Sequence, residues 1–538
     1  VRSQSQQGGA RGFGRRHRNK LVIAGLLLLT PVAAHVAIVH LTSITPPTVA
    51  PNAIAAISAI SAKTGQGGVR FAGNGWTTLY GLRGGPGVRV VSLAGTPEEI
   101  GTQHAVLVRQ YMIANEKVLW EGFEQLVPIW PLRTLMLDVG RFRYRHVASG
   151  FPEPRQRELA AGALAFSPDP YSAHMATYSR MVLLHALYDI ALSFEHSPLL
   201  GTGASTLSRP IRAAHDTPAG PELDGCSAFG LGPTRTASGH PLFARAFDFE
   251  AADVFDRDKA VFVVRENGLI PFASVAWPGL VGVFTGMNAE GVAVAVNGAR
   301  AREPMTTGMP VVFSLREVLS KARDTKEAVA ILSAQSVMVS HLVFVGDQNG
   351  NFAIVERAPG EKAFVRKSAD PARVAVTNHF EGPLATDPSN IRVMQTTTSL
   401  ARRARIDELL GQVEPKTATV AHAVHMLRDH ACAGGVACQI GDRRSIDALI
   451  ATHGVVFDLA EKTLWVSEGP HLSGRFVKIA LGPIVSSTGG PPIANEDAIG
   501  PDEVLGDSRY AEGRARAGGP LFGREEPWPP KISGDQAQ

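Results

Sequence analysis

The chain has 538 residues, of which 44% are hydrophobic, and carries a formal net charge of +4. That apolar fraction is ordinary for a globular protein, and the length calls for a large core with appendages rather than one small domain. The basic excess is gathered at Arg11, Arg15, Arg16, Arg18 and Lys20; with no basic stripe interleaved with aromatics, nucleic acid is not an expected partner.

The basic cluster runs directly into LVIAGLLLLTPVAAHVAIVHL. Leu21 to Leu41 contains no Asp, Glu, Lys or Arg, and about 20 such residues span a bilayer as a helix. Pro31 would kink that helix, which a membrane segment tolerates. Cations on its N-terminal side predict an N-in, C-out orientation. The expectation is a single-pass anchor in the cell membrane with the rest of the chain periplasmic. The alternative is a signal peptide cleaved near TPVAA, which would give a secreted protein. Residues 1–20 are then a basic cytoplasmic N-terminus. Residues 42–85, rich in Pro, Ala, Ser and Gly, read as a linker.

From about Gln103 to Phe194 the apolar residues recur at three- and four-residue spacings, as in GTQHAVLVRQYMIANEKVLWEGFEQL, RQRELAAGALAF and MVLLHALYDIALSF. This predicts helices across a segment bounded at 86–225. After Cys226 the texture changes to short β runs, among them PLFARAFDF, AVFVVRENG, GVAVAVNG and HLVFVGDQNGNFAIVER. QNGN and AEKT sit where hairpin turns belong. Helices are expected at about 314–335, 393–411 and 417–429. Many strands with segregated helices give an α+β architecture over 226–485, with helices layered on sheets. The Pro/Gly-rich residues 486–538 read as a loose tail.

Three cysteines occur in the whole chain. Cys432 and Cys438 flank a short Gly-containing loop, a spacing compatible with a local disulfide in an oxidising compartment or with unrelated core positions. Cys226 is then the odd thiol, set in DGCSAF among an acid, glycine and serine. A nucleophilic cysteine needs a base or a positive charge nearby. One base appears if Cys226 becomes an N-terminus: its α-amine has an ordinary pKa of about 8 and lies within reach of its own sulfur. Gly225 permits the strained backbone that such a self-cleavage requires. In LFARAFDFE, Arg245 and Asp248 stand three apart. Asp248 is placed to hold the ammonium of Cys226 and Arg245 to favour the thiolate; the plainer alternative is a surface ion pair.

Two other chemistries compete. A papain-like site would pair Cys226 with His379, beside Asn378, but DGCSAFGLGP leads into a strand rather than a helix. His422, His425, His430, Cys432 and Cys438 are close in sequence, yet they form no HExxH and no zinc-knuckle spacing, so no metal is expected.

DGCSAF followed by RAFD resembles the start of the mature chain in N-terminal-nucleophile hydrolases. In particular it resembles the acyl-CoA:6-aminopenicillanic acid acyltransferase family, with the choloylglycine hydrolases as more distant relatives. VSLAGTPEEIGTQHA resembles the family's G-x-x-x-E-x-G-x-x-H stretch, and RELAAGALAF with LLHALYDIAL its helical pro-segment. FTGMNAEGVAVAVN, VFVGDQNGNFAIVE, AVTNHF, SLARRARIDELL and THGVVFDLAEKTLWVSEG follow in the family's order, covering roughly 90–480. The resemblance implies an αββα sandwich, with Cys226 as nucleophile and Gly225–Cys226 as the autoproteolysis bond. It implies Arg245 and Asp248 as site residues, Asn297 as oxyanion donor, Asn378 as the second site asparagine and Arg402 as the late arginine, with Arg403 a register alternative. Ser399 matches a serine near the acyl pocket, and Asn288 is read as structural. Ser227 departs from the more usual threonine, and the segment before Cys226 is long.

The implied activity is hydrolysis of, or acyl transfer from, an N-acyl amide through an acyl-enzyme on Cys226. No cofactor is implied, and the two chains produced by cleavage are expected to stay associated. The alternatives are a cysteine hydrolase that does not cleave itself and a catalytically silent binding protein of the same fold.

Overall fold

The computed structural model describes residues 30–49, 63–65, 68–81, 85–194, 225–249, 252–487, 490–492 and 497–518. The chain divides into a small unit, Val1–Thr45 with Phe123–Arg145, and a large one, Pro46–Gly122 with His146–Gln538.

In the large unit the strands are β1 (Lys63–Thr64), β2 (Arg70–Ala72), β3 (Gly75–Tyr80), β4 (Val88–Gly95), β5 (Ser227–Leu231), β6 (Leu242–Asp248), β7 (Ala260–Glu266), β8 (Phe272–Ala276) and β9 (Thr285–Asn288). They continue through β10 (Ala293–Gly298), β11 (His341–Gly346), β12 (Phe352–Arg357), β13 (Phe364–Arg366), β14 (Arg373–Val376), β15 (Ala451–Asp458), β16 (Thr463–Ser467), β17 (Phe476–Ala480) and β18 (Ala498–Ile499). One sheet has the order β1-β2-β3-β4-β7-β8-β9-β10-β11-β12-β13, the other β14-β5-β6-β15-β16-β17-β18.

Period-two alternation sets the layers. On β6, Phe243 enters a core shared with Val261, Val263, Ala293, Ala295 and Phe344 of the larger sheet. Leu242, Ala244 and Ala246 point the other way, against Ile406, Leu410, Val424 and Leu427. Those four residues lie on helices Ser399–Gln412 and Val420–Leu427, which cover the smaller sheet. Helices Val311–Lys321 and Thr325–Ser333 pack on strands of the larger sheet. Two sheets share one apolar core, with helices outside each, which is the α+β layering expected. The QNGN and AEKT turns join β11 to β12 and β15 to β16, each pair antiparallel.

Three segments depart from the sequence reading. Residues 63–80, taken as linker, form β1 to β3 because Trp76 and Tyr80 bury their rings in the shared core. The segment before Cys226 also contributes β4, which pairs in parallel with β7, so it belongs to the sheet as well as to the helices. In the expected loose tail, Ser508–Ala517 is a helix, capped by Asp507 at its start and by Gly518 at φ 101° at its end. Arg514 fastens it, donating to Leu449 O (2.7 Å) and to Asp253 Oδ1 (3.0 Å).

The small unit holds a helix at 30–41 and the helix Trp130–Arg143. His35 Nδ1 lies 2.7 Å from Asp138 Oδ2, and Arg141 donates to Asp138 Oδ1 at 2.9 Å. Among the described residues no helix is long and apolar enough to cross a membrane. Of the expected 21–41 span, 30–41 is helical and 21–29 lies outside the described residues.

Candidate active site

Cys226 immediately precedes β5, and its parity with Ala228, a shared-core residue, directs it into the space between the sheets. It is fully buried and is the free cysteine, since Cys432 and Cys438 form a disulfide with Cα atoms 5.7 Å apart. β5 pairs with β6 so that Ala228 stands opposite Arg245. Arg245 shares the inward parity of Phe243, so its guanidinium is buried and must find partners inside the sandwich. Its Nη2 donates to Cys226 Sγ at 3.3 Å and its Nη1 to Asn297 Oδ1 at 2.5 Å.

Asn297 comes from the opposite sheet. It has the inward parity of Ala293 and Ala295 on β10. Its side-chain amide donates to Cys226 O (3.2 Å) and Thr377 O (3.0 Å). Both amide hydrogens therefore have acceptors in this state. For Asn297 to donate to an oxyanion, a substrate oxygen must take the place of one carbonyl.

Ser227 faces outward, toward helix Ser399–Gln412, and this brings in Arg402. Its Nη1 donates to Cys226 O (2.7 Å) and Ser227 Oγ (3.1 Å), and its Nη2 to Asn378 Oδ1 (2.9 Å). Asn378 donates through Nδ2 to Gly298 O (3.0 Å), so it anchors the arginine. Arg403, one residue on, is turned out to Glu381 and Asp407. The register that places Arg402 at the site is thus the structural one.

Asp248 ends β6 beside the thiol. A Cβ built on Gly225 would lie 2.7 Å from Asp248 Oδ2 and 3.2 Å from its Cβ. A side chain at 225 would therefore have to displace the Asp248 carboxylate. Cys226 Sγ is also 4.0 Å from Asp248 O.

The remaining named residues serve elsewhere. Asn288 is structural: its amide donates to Leu319 O and Ala322 O, and its oxygen accepts from Glu290 and Val292 N–H. His379, the base of the papain-like alternative, meets Ser399 Oγ with Nδ1 (2.8 Å) and faces Glu381 with Nε2 (3.6 Å). Burial pushes its pKa down to about 4, against the pull of Glu381. Ser399 also accepts from Asn378 N–H (2.8 Å), so it shapes the turn that carries Thr377 O and Asn378.

Sequence reading missed His453 and His185, and it met His104 only as the last residue of the G-x-x-x-E-x-G-x-x-H stretch. His453 stacks on Phe247 with ring centroids 5.0 Å apart and meets Thr285 Oγ1 at 3.0 Å. Burial, then the Arg245 charge, holds its pKa well below the ordinary value. A polar residue on the inward parity of Val455 and Phe457 was the available signal. His104 and His185 accept through Nε2 from Gly279 N–H (2.8 Å) and Val281 N–H (2.9 Å), fixing the loop before β9. That loop is bounded by Trp277 and Phe284, whose rings stand 5.8 and 5.3 Å from Phe247. Arg245 lies over the Phe247 ring at 4.7 Å, so an aromatic wall begins next to the arginine that holds the sulfur.

Among the described residues, one group of possible metal ligands is Cys432, Cys438 and Asp442. The two sulfurs are joined to each other, which removes them as thiolate donors.

Residues 234–471 match the sequence model of the family described as acyl-coenzyme A:6-aminopenicillanic acid acyl-transferase; the match begins eight residues after Cys226. An uncharacterized protein of Archaeoglobus fulgidus is 27% identical over 275 residues, which cover 49% of this chain and 42% of that relative. The chain thus matches less than half the length of this curated relative. Among solved structures, a Caenorhabditis elegans N-acylethanolamine-hydrolyzing acid amidase ortholog is similar at 16% identity and TM-score 0.28, covering 44% of this chain and 93% of its own. Penicillin V acylase from Agrobacterium tumefaciens is similar at 17% identity and TM-score 0.34, covering 49% and 89%. Residues 234–471 are thus similar to the acyl-coenzyme A:6-aminopenicillanic acid acyl-transferase family.

Proposed function

We propose that the chain is a cysteine N-terminal-nucleophile enzyme that cleaves its own Gly225–Cys226 bond and then acts on an N-acyl amide. The carrying observation is the pairing of the buried thiol with the Arg245 guanidinium at 3.3 Å. A buried arginine that reaches the sulfur supplies the positive charge a thiolate needs. The match of residues 234–471 to the acyl-transferase family supports acyl hydrolysis or transfer as the reaction class.

In self-cleavage the sulfur attacks the Gly225 carbonyl carbon. The C–N bond breaks and the nitrogen of Cys226 takes up a proton. Water then hydrolyses the thioester, leaving a carboxylate on Gly225 and a free thiol. The new ammonium is formed against Asp248, whose carboxylate fills the space beside Gly225. In turnover the α-amine accepts the thiol proton, the sulfur attacks the substrate acyl carbon, and the leaving amine takes that proton. Water or a second amine resolves the acyl-enzyme. Asn297 and backbone N–H groups stabilise the oxyanion, at about 3 kcal/mol for one such donor. Arg402, anchored by Asn378, holds the Cys226 carbonyl. The aromatic wall at Phe247, Trp277 and Phe284 favours an apolar or aryl acyl half. In the periplasm, where acyl-CoA is scarce, water is the expected acceptor.

The test is acid quench of the purified enzyme with a panel of N-acyl amino acids, penicillins, bile-salt conjugates and acyl homoserine lactones, followed by peptide mass analysis. The reading predicts an acyl adduct on the Cys226 peptide for at least one substrate. Turnover with the adduct on another residue, or no turnover of any compound, would contradict it; the latter favours the silent binding protein.

A further inference from the structure

The small unit carries a surface that the chemistry at Cys226 does not use. On helix Trp130–Arg143 one residue, Asp138, is buried. Leu132, Leu135, Val139 and Phe142 recur at spacings of three, four and three, which places them on one face. They and Trp130 are 45–69% exposed. On the helix at 30–41, Val32 and Val36 are exposed as well. A monomer gains nothing from displaying a contiguous apolar stripe to water.

Charge identifies the partner. Across the described Phe123–Arg145 there are four Arg against two acids, Glu124 and Asp138, a formal +2. The two acids are already engaged, Asp138 with Arg141 and His35, and Glu124 with Arg133. Arg143 and Arg145 remain at the end of the stripe, and Arg145 lies 4.3 Å over the Phe142 ring. A second copy would bring Arg143 and Arg145 against their own counterparts, which opposes self-association. An anionic lipid surface satisfies both the stripe and the cations. The helix has 14 residues and is about 21 Å long, shorter than the hydrocarbon core of about 30 Å, so it lies on a bilayer rather than across it.

We infer that helix Trp130–Arg143 docks the protein in the plane of an anionic phospholipid surface, with Leu132, Leu135, Val139 and Phe142 inserted and Arg143 and Arg145 at the headgroups. The test uses the full chain carrying Cys226→Ala and Leu135→Cys, labelled at residue 135 with a polarity-sensitive fluorophore. The expected result is water-like emission in buffer and a blue shift with phosphatidylglycerol-containing vesicles, but none with phosphatidylcholine alone. R143E/R145E should raise the lipid needed for half the shift about tenfold. Blue emission already present in buffer would overturn the inference, because another part of the chain or a second copy then covers the face. Sedimentation with vesicles without a shift, or no sedimentation, would overturn it as well.

Discussion

Cys226 is surrounded by groups whose geometry matters more than their charge. Arg245 bridges the sulfur and Asn297 Oδ1 with two different nitrogens, a fork that lysine cannot reproduce. Arg245→Lys is therefore predicted to cut kcat by about 10²-fold or more while the protein still folds, as steady-state kinetics and circular dichroism will show. Gly225→Ala must displace Asp248 and is predicted to slow self-cleavage severalfold or more in a time course of chain splitting. Cys226 stood out in the sequence as the odd thiol and the Arg245/Asp248 pair by its nearness to it, whereas Asn297 was reached only through the family resemblance. What was not legible is that the amide hydrogens of Asn297 meet Cys226 O and Thr377 O. That depends on contacts with residues 71 and 80 positions away in sequence, which no local pattern encodes.

At the scale of elements, one helix decides how Arg402 reaches the site. Ser399–Gln412 presents Arg402 inward and Arg403 outward, one residue apart. Arg402→Lys is predicted to lower kcat by about 10²-fold, and Arg403→Ala to leave it within about threefold. The reverse order in kinetic assays would mean that the helix register is wrong. Phe243 joins the two sheets, stacking on Phe344 at 4.3 Å. Phe243→Ala is predicted to cost about 3–5 kcal/mol in denaturant unfolding. Hairpins with the QNGN and AEKT turns were readable because turn chemistry is local. The strands at 63–80 had the same kind of signal, Asn74-Gly75 between aromatic residues. It was obscured by a Pro/Ala/Ser-rich context whose composition outweighed a short hairpin. The helix at 508–517 was hidden for a different reason: its anchor is Arg514, reaching residues 65 and 261 positions away.

Over the whole molecule, buried histidines set the acid limit of stability. Burial pushes His104 and His341 down to about 3, and His185, His379 and His471 to about 4, from an ordinary 6.5. Between pH 6.5 and 4 the unfolded chain binds protons that the folded chain refuses, so stability falls as pH falls through that window. Asp189 has the opposite sign: burial raises it to about 7, so its contribution is lost as pH rises from its ordinary 3.8 toward 7. Burial lowers His453 as well, while it raises Glu116, Glu356 and Asp447 alongside Asp189; the six lowered histidines are the larger set. Tm by differential scanning fluorimetry is predicted to drop on going from about pH 7 to about pH 4.5, and Asp189→Asn to raise Tm only at the upper end. The central claim, that this fold exists to turn a mid-chain cysteine into a chain end, is tested most directly by the intact mass and N-terminal sequence of the purified protein beside Cys226→Ala. The account predicts two chains, the second beginning Cys226-Ser227-Ala228, and an uncleaved variant. A wild-type protein that remains one chain while a thiol reagent still abolishes its activity would contradict self-cleavage and require another base for Cys226.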